Sequence, residues 1–127
     1  MKLQADRIAG TNAISRHSIE GVIVNGVEHT TSVVVPWTGP PLAWPVGDFH
    51  SLAPAHFAQI AELQPELVIF GSGARIRFPS PALLRPLIER RIGIETMDTA
   101  AACRTYNVLL AEGRSVVAAL LFEEPAP

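Results

Sequence analysis

The chain has 127 residues, of which 48% are hydrophobic and 17% charged. That is enough apolar material for the core of one domain and too little charge for a disordered chain. A formal net charge of -2 excludes the chain-wide positive field that drives nucleic-acid binding. A single cysteine, Cys103, excludes an internal disulfide. The four histidines, His17, His29, His50 and His56, form no i, i+4 pair and no zinc-spaced Cys/His cluster, so no metal, cofactor or catalytic base is assigned.

The first twenty residues carry Lys2, Asp6, Arg7, Arg16 and Glu20 without a continuous apolar stretch, which argues against a cleaved secretory signal. The longest apolar run, Val116 to Phe122, falls far short of the ~20 residues of a membrane-spanning helix. The expectation is a soluble cytoplasmic protein, with one α/β domain over residues 1–122 and a frayed tail over 123–127.

Up to Val35, short apolar patches alternate with turn formers. Asn25-Gly26 lies between Val22-Ile23-Val24 and Val27. Both turn residues tolerate positive φ, so the pair predicts a type I′ hairpin, and a β-hairpin or meander opens the domain. Thr30 to Val35 adds a strand ended by Pro36. Residues 36–47 hold four prolines, two glycines and both tryptophans, which predicts a rigid irregular loop. In it Trp37 and Trp44 either roof the core or leave one ring, Trp44, as an interface anchor.

Pro54 opens a helix with Phe57, Ile60 and Ala61 on one face, finished by Pro65. Leu67-Val68-Ile69-Phe70 reads as a buried strand closed by Gly71-Ser72-Gly73, and Ala74 to Phe78 alternates as an exposed extended stretch. Ser80-Pro81 starts a second helix reaching Arg91, with Leu83, Leu84, Leu87 and Ile88 as its apolar stripe. Pro86 should kink it or delay its regular part. Gly93 to Met97 is a strand, and Asp98 or Thr99 caps a helix that runs to Glu112 and stops at Gly113. Val116 to Phe122 is the last strand. From residue 67 the order β-α-β-α-β predicts parallel pairing in that half of the sheet.

Parallel strands would bring Gly71, Ser72 and Gly73 to the same sheet end as Asp98 and Thr99, the end where open α/β sheets bind ligands. Helix amides at Thr99, with Arg75 and Arg104 within reach of the rim, would suit a small anionic ligand; equally, both turns could be plain connections. The glycine turn completes no known scheme. Ile76 stands where a dinucleotide fingerprint needs glycine, no lysine follows Lys2 to serve a phosphate loop, and the glycines sit too close to Ser72 for a nucleophile elbow. Ser72 reads as a turn residue. Cys103 could be activated by the helix start and Arg104, but it shares the apolar face with Ala102, Tyr106, Leu109 and Leu110, which favours a buried structural thiol. Asn107, at the edge of that face, is suited to orienting neighbouring backbone.

Gly71 to Arg75, the block Met97-Asp98-Thr99-Ala100-Ala101-Ala102-Cys103-Arg104-Thr105-Tyr106-Asn107 running on to Arg114, Ala118 to Leu120, and Trp44-Pro45-Val46-Gly47 together resemble the family catalogued as domain of unknown function 498. Its mitochondrial member is an assembly factor for respiratory complex I. The resemblance implies a three-layer α/β domain with a mixed central sheet and additional β structure, and no established enzymatic activity, cofactor or catalytic residue. It also implies a protein-binding role in assembling a membrane complex. Two functions therefore stand as expectations: a non-enzymatic interaction or assembly module docking a protein partner through the crevice rim and the Trp44 loop, or a protein that binds or acts on a small anionic metabolite at the crevice.

Overall fold

The computed structural model describes residues 10–123, so the first nine residues and the last four of the expected tail lie outside the described residues. The first strands of the described residues form an antiparallel meander, β1 (Ile14–His17), β2 (Val22–Val24) and β3 (Val27–His29). Asn25 at φ 52° and Gly26 at φ 84° make the turn between β2 and β3, the pair of positive angles that a type I′ turn requires.

A second, five-stranded sheet carries the rest. Its strands are β4 (Val33–Val35), β5 (Leu42–Ala43), β6 (Leu67–Gly71), β7 (Gly93–Met97) and β8 (Val116–Leu120), in the order β5-β4-β8-β6-β7. β6 runs parallel to both β7 and β8, while β4 is antiparallel to β8. The mixed sheet with a parallel C-terminal half is therefore as expected. The helices are α1 (Pro54–Ala61), α2 (Arg85–Ile88) and α3 (Thr99–Ala111).

The strand residues of the large sheet divide between two cores by simple alternation. Val34, Val68, Phe70, Val117 and Ala119 face α1 and α2, meeting Phe57, Ile60 and Leu87. Val33, Val35, Ile69, Ala118 and Leu120 face the other way, onto Cys103, Tyr106 and Leu110 of α3 and Ile14, Val22 and Val24 of the meander. Three layers result, with the small sheet sharing the α3 side. No helix among the described residues is long and apolar enough to cross a membrane.

Several expectations need correction. The helix expected over 80–91 is regular only at Arg85–Ile88. Pro86 has no N–H to bond back to residue 82, so the regular part begins where that proline falls in the first turn. With the helix this short, Ile88 faces outward at 57% exposure and is not part of a buried stripe. The proline-rich loop contains β5, and a 3-10 turn at Phe49–Ser51 capped by the Asp48 side chain follows it; neither has an apolar period to announce it. Glu123, assigned to the tail, is held in the structure by an ion pair with Arg77.

Trp44 is buried, at 2% exposure. Its indole packs edge-on to Phe57 and Phe70 at 5.8 and 6.0 Å between ring centres, and its Nε1–H donates to the His56 carbonyl (3.1 Å). The roofing role holds, and a surface anchor at this residue does not. His56 locks the loop from the other side. Its Nδ1 accepts the Ala53 N–H (2.9 Å), leaving Nε2 to donate to the Pro45 carbonyl (3.0 Å).

Asn107 joins α3 to the meander: its amide Nδ2 donates to the Ile14 carbonyl (2.7 Å) and its Oδ1 accepts the Ile14 N–H (3.3 Å). The side chain thus replaces a strand neighbour for β1. Substituting Asn107→Leu leaves both Ile14 backbone groups unpaired, and urea denaturation should show a loss of about 2 kcal/mol. Amide exchange at Ile14 should accelerate more than in the α1 and α2 layer.

Candidate functional site

The parallel arrangement brings the end of β6 against the start of α3. Gly71 lies so near that helix that a Cβ there would meet the Thr99 Cα at 2.9 Å and the Ala102 Cβ at 3.1 Å, so only glycine lets the two backbones approach this closely. Beyond it the Ser72 N–H donates to the Met97 carbonyl (2.9 Å), extending the β6–β7 ladder. The Gly73 N–H donates to Thr99 Oγ1 (2.8 Å), the Thr99 N–H donates back to the Gly73 carbonyl (2.9 Å), and Thr99 Oγ1 donates to the Leu121 carbonyl (3.1 Å). One threonine fastens β6, α3 and the chain beyond β8.

Ser72 is fully buried and organises the turn. Its hydroxyl accepts the Arg77 N–H (2.9 Å) and directs its own proton to the Arg75 carbonyl (2.9 Å), with the Met97 carbonyl at 3.2 Å as the other acceptor in reach. The hydroxyl thus both accepts and donates within the turn, which matches a turn residue.

Sequence reasoning missed Arg77 and Glu123. The Arg77 guanidinium donates to the Ser72 carbonyl (Nη2, 2.7 Å) and to Glu123 Oε1 (2.6 Å), and lies 4.7 Å above the Phe49 ring. Glu123 Oε2 accepts the Phe49 N–H (2.9 Å). The only advance signal was the polar position of Arg77 within an alternating stretch; its partner, 46 residues away, had none. Gly73, at φ 107°, passes directly beneath this pair, and a Cβ there would strike Arg77 Nη2 at 2.8 Å.

A cleft of about 260 Å³ opens beside the turn, between Ile19 of the β1–β2 connection, Ala74, Ala100 and Phe122, with Asp98 and Glu123 also among its lining residues. Asp98 caps α3 by accepting the Ala101 N–H (2.8 Å), and Thr99 and Ala102 also donate to protein carbonyls. Among the described residues, the Ala100 amide is the one in the first turn that has no protein acceptor. Arg75 and Arg104 are exposed, and neither lines the cleft. A wider, open groove of about 570 Å³ runs between α1 and α2, past Ala58, Ala61, Pro86 and Arg90. There Arg90 is occupied with the Ala61 carbonyl and Glu62. Cys103 is buried, and burial pushes its thiol up to about 12 against the small opposing pull of Arg104, which makes it an inert packing group.

Burial pushes the Glu123 carboxyl up, but the Arg77 hydrogen bond, the Phe49 N–H and the Arg77 charge outweigh it, so the group sits below its ordinary range. A depressed folded-state value stabilises the protein above the unfolded value, and that stabilisation is lost as pH falls through the folded value. Glu123→Gln should therefore lower the denaturation midpoint at neutral pH, and the gap to wild type should close on acidification below the usual carboxylate range. Gly71→Ala should cost about 1–3 kcal/mol at any pH, because the new methyl meets helix backbone and a fixed Ala102; equilibrium unfolding at two pH values separates the two effects.

A profile of the family described as "Protein of unknown function (DUF498/DUF598)" matches residues 14–121. The chain is 34% identical over 113 residues to the Bos taurus protein named "NADH dehydrogenase [ubiquinone] 1 alpha subcomplex assembly factor 3". That match covers 85% of this chain and 59% of the relative, so the chain spans about six-tenths of that protein's length. Among solved structures it is similar to a Bordetella parapertussis protein in a crystal structure, with 36% identity and TM-score 0.85, over 92% of this chain and 100% of that one. It is also similar to a Bordetella pertussis protein solved by NMR and described as a Mth938-like domain, with 31% identity and TM-score 0.83, over 99% and 95% of the two chains. The match over residues 14–121 spans the two sheets and the three helices of the described residues, and the chain belongs to the DUF498/DUF598 family.

Proposed function

We propose that this protein is a non-enzymatic docking module that assists assembly of a multi-subunit complex, with a membrane-bound respiratory complex as the class of partner. The observation that carries it is the 34% identity, over 85% of the chain, to a relative named as a complex assembly factor. The geometry adds a surface. Ser72 and Arg77 pin the loop after β6 at its base, and beyond them Ile76 and Phe78 are 50% and 71% exposed. Large apolar side chains held outward on a pinned loop pre-organise a protein contact, since little freedom is left to lose on binding. In this reading the protein acts from the cytoplasm on a subunit presented at the membrane surface.

An anionic metabolite in the crevice has less support. The first-turn amides other than that of Ala100 are taken by protein acceptors, and the cleft is lined by two acidic residues, Asp98 and Glu123, and by no basic one among the described residues, which gives an anion no counter-charge. Of the residues first singled out, Gly71, Ser72, Gly73, Asp98 and Thr99 build the rim, Asn107 fastens β1, and Arg75 and Arg104 remain as exposed charges around it.

Affinity capture of the tagged protein from its native cells, membranes included, tests the docking function. The wild type should bring down subunits of one membrane complex. The double variant Ile76→Ser, Phe78→Ser should lose them while keeping its denaturation midpoint, because both side chains are exposed. Capture unchanged by the double variant would remove this loop as the contact, and capture of no complex subunit by the wild type would remove the assembly role.

A further inference from the structure

The two edges of the large sheet are finished differently. β5 has two residues and lies between Pro40, Pro41 and Pro45, which cannot donate to a further strand. β7 has five residues, contains no proline and, among the described residues, is hydrogen-bonded on one side only, to β6. The Gly93 N–H donates to the Glu66 carbonyl and the Met97 carbonyl accepts the Ser72 N–H. In a parallel ladder alternate residues bond to the same neighbour, so Gly93, Glu95 and Met97 turn their backbone groups toward β6. Ile94 and Thr96 turn theirs outward, and no described group bonds to them.

We infer that β7 is a strand-addition edge for an extended segment of a protein partner carrying Lys or Arg opposite Glu95. The outward N–H and C=O groups of Ile94 and Thr96 fix the conformation of the occupant, since only extended backbone meets both. Glu95 fixes its charge. It is exposed and is the one ionisable side chain of the strand, and it stands between the two residues that offer hydrogen bonds. A second copy of this chain is the poorer occupant. The two-fold antiparallel pairing that uses both outward residues of each copy sets Ile94 against Thr96 and places Glu95 directly opposite its own counterpart, with Cα atoms about 4.5 Å apart. Like charges in that position oppose pairing, and a basic residue there favours it. This edge adds a second contact to the docking function proposed above and rests on it for the nature of the partner.

The test is a ¹⁵N NMR titration of the whole chain with a short blocked peptide of alternating threonine and valine bearing a central lysine, and with its central-glutamate counterpart. The Ile94 and Thr96 amides should shift and saturate with the lysine peptide, which should bind about two- to fivefold more tightly than the glutamate peptide. Glu95→Lys should reverse that order. Thr96→Pro, which removes an outward N–H and none of the β6 ladder, should abolish the response; Thr96→Val, which keeps the N–H, should retain it and controls for the altered side chain. Unmoved amides with both peptides, or no difference between the peptides, would overturn the inference. So would shifts of the same two amides on raising the protein concentration alone, which would make a second copy the occupant. The peptide reads β7 without the Ile76 and Phe78 loop, so a failure here is distinguishable from a failure of the assembly role.

Discussion

Burial of β6 and β8 on both faces is the constraint on which the other elements depend. All five residues of each strand are shielded, so each strand needs a complete hydrophobic layer above and below. The chain supplies α1 and α2 on one side. On the other, α3 covers only part of the sheet, and the meander of β1 to β3 covers the remainder through Ile14, Val22 and Val24. Because an unpaired backbone group in such a core is costly, the junctions between layers are made by side chains that imitate backbone: Asn107 on Ile14, Thr99 on Gly73 and Leu121, Tyr106 on the Pro36 carbonyl (2.7 Å).

Those junctions also decide what the crevice can do. The glycine turn and the helix start look like a ligand cradle when considered separately, each with unsatisfied amides. Folded together they satisfy each other, and the Arg77–Glu123 pair closes over Gly73. Polar capacity at this end of the sheet is largely consumed in holding the loop still. What the loop then presents outward is apolar, at Ile76 and Phe78, which agrees with docking better than with chemistry.

Charge follows the same division. The ion pair with structural consequence is the half-buried one, Arg77–Glu123, whose members also bond to backbone and lean on Phe49. Arg90–Glu62 and Arg114–Glu66 are largely exposed, and solvent and salt leave such pairs little weight. At the sheet's open edge Glu95 is exposed, and a charge in that position opposes pairing with a like-charged strand, which is the usual work of an edge charge.

Period and punctuation determined much of this protein from its sequence alone. The Asn25-Gly26 turn, the buried runs of β6 and β8, the Pro54 start of α1 and the Asp98 cap of α3 are each written in a few adjacent residues, because φ preference, side-chain alternation and capping are local effects. The strand-helix-strand order then implied the parallel half of the sheet. Tertiary structure alone decided that Trp44 is core and not surface, that Glu123 returns to Arg77, that the small meander shares a layer with α3, and that Asp98 and Glu123 line the cleft while Arg75 and Arg104 do not. These depend on contacts between residues tens of positions apart, and no local pattern encodes which distant group will arrive to complete a hydrogen bond or cover an apolar face.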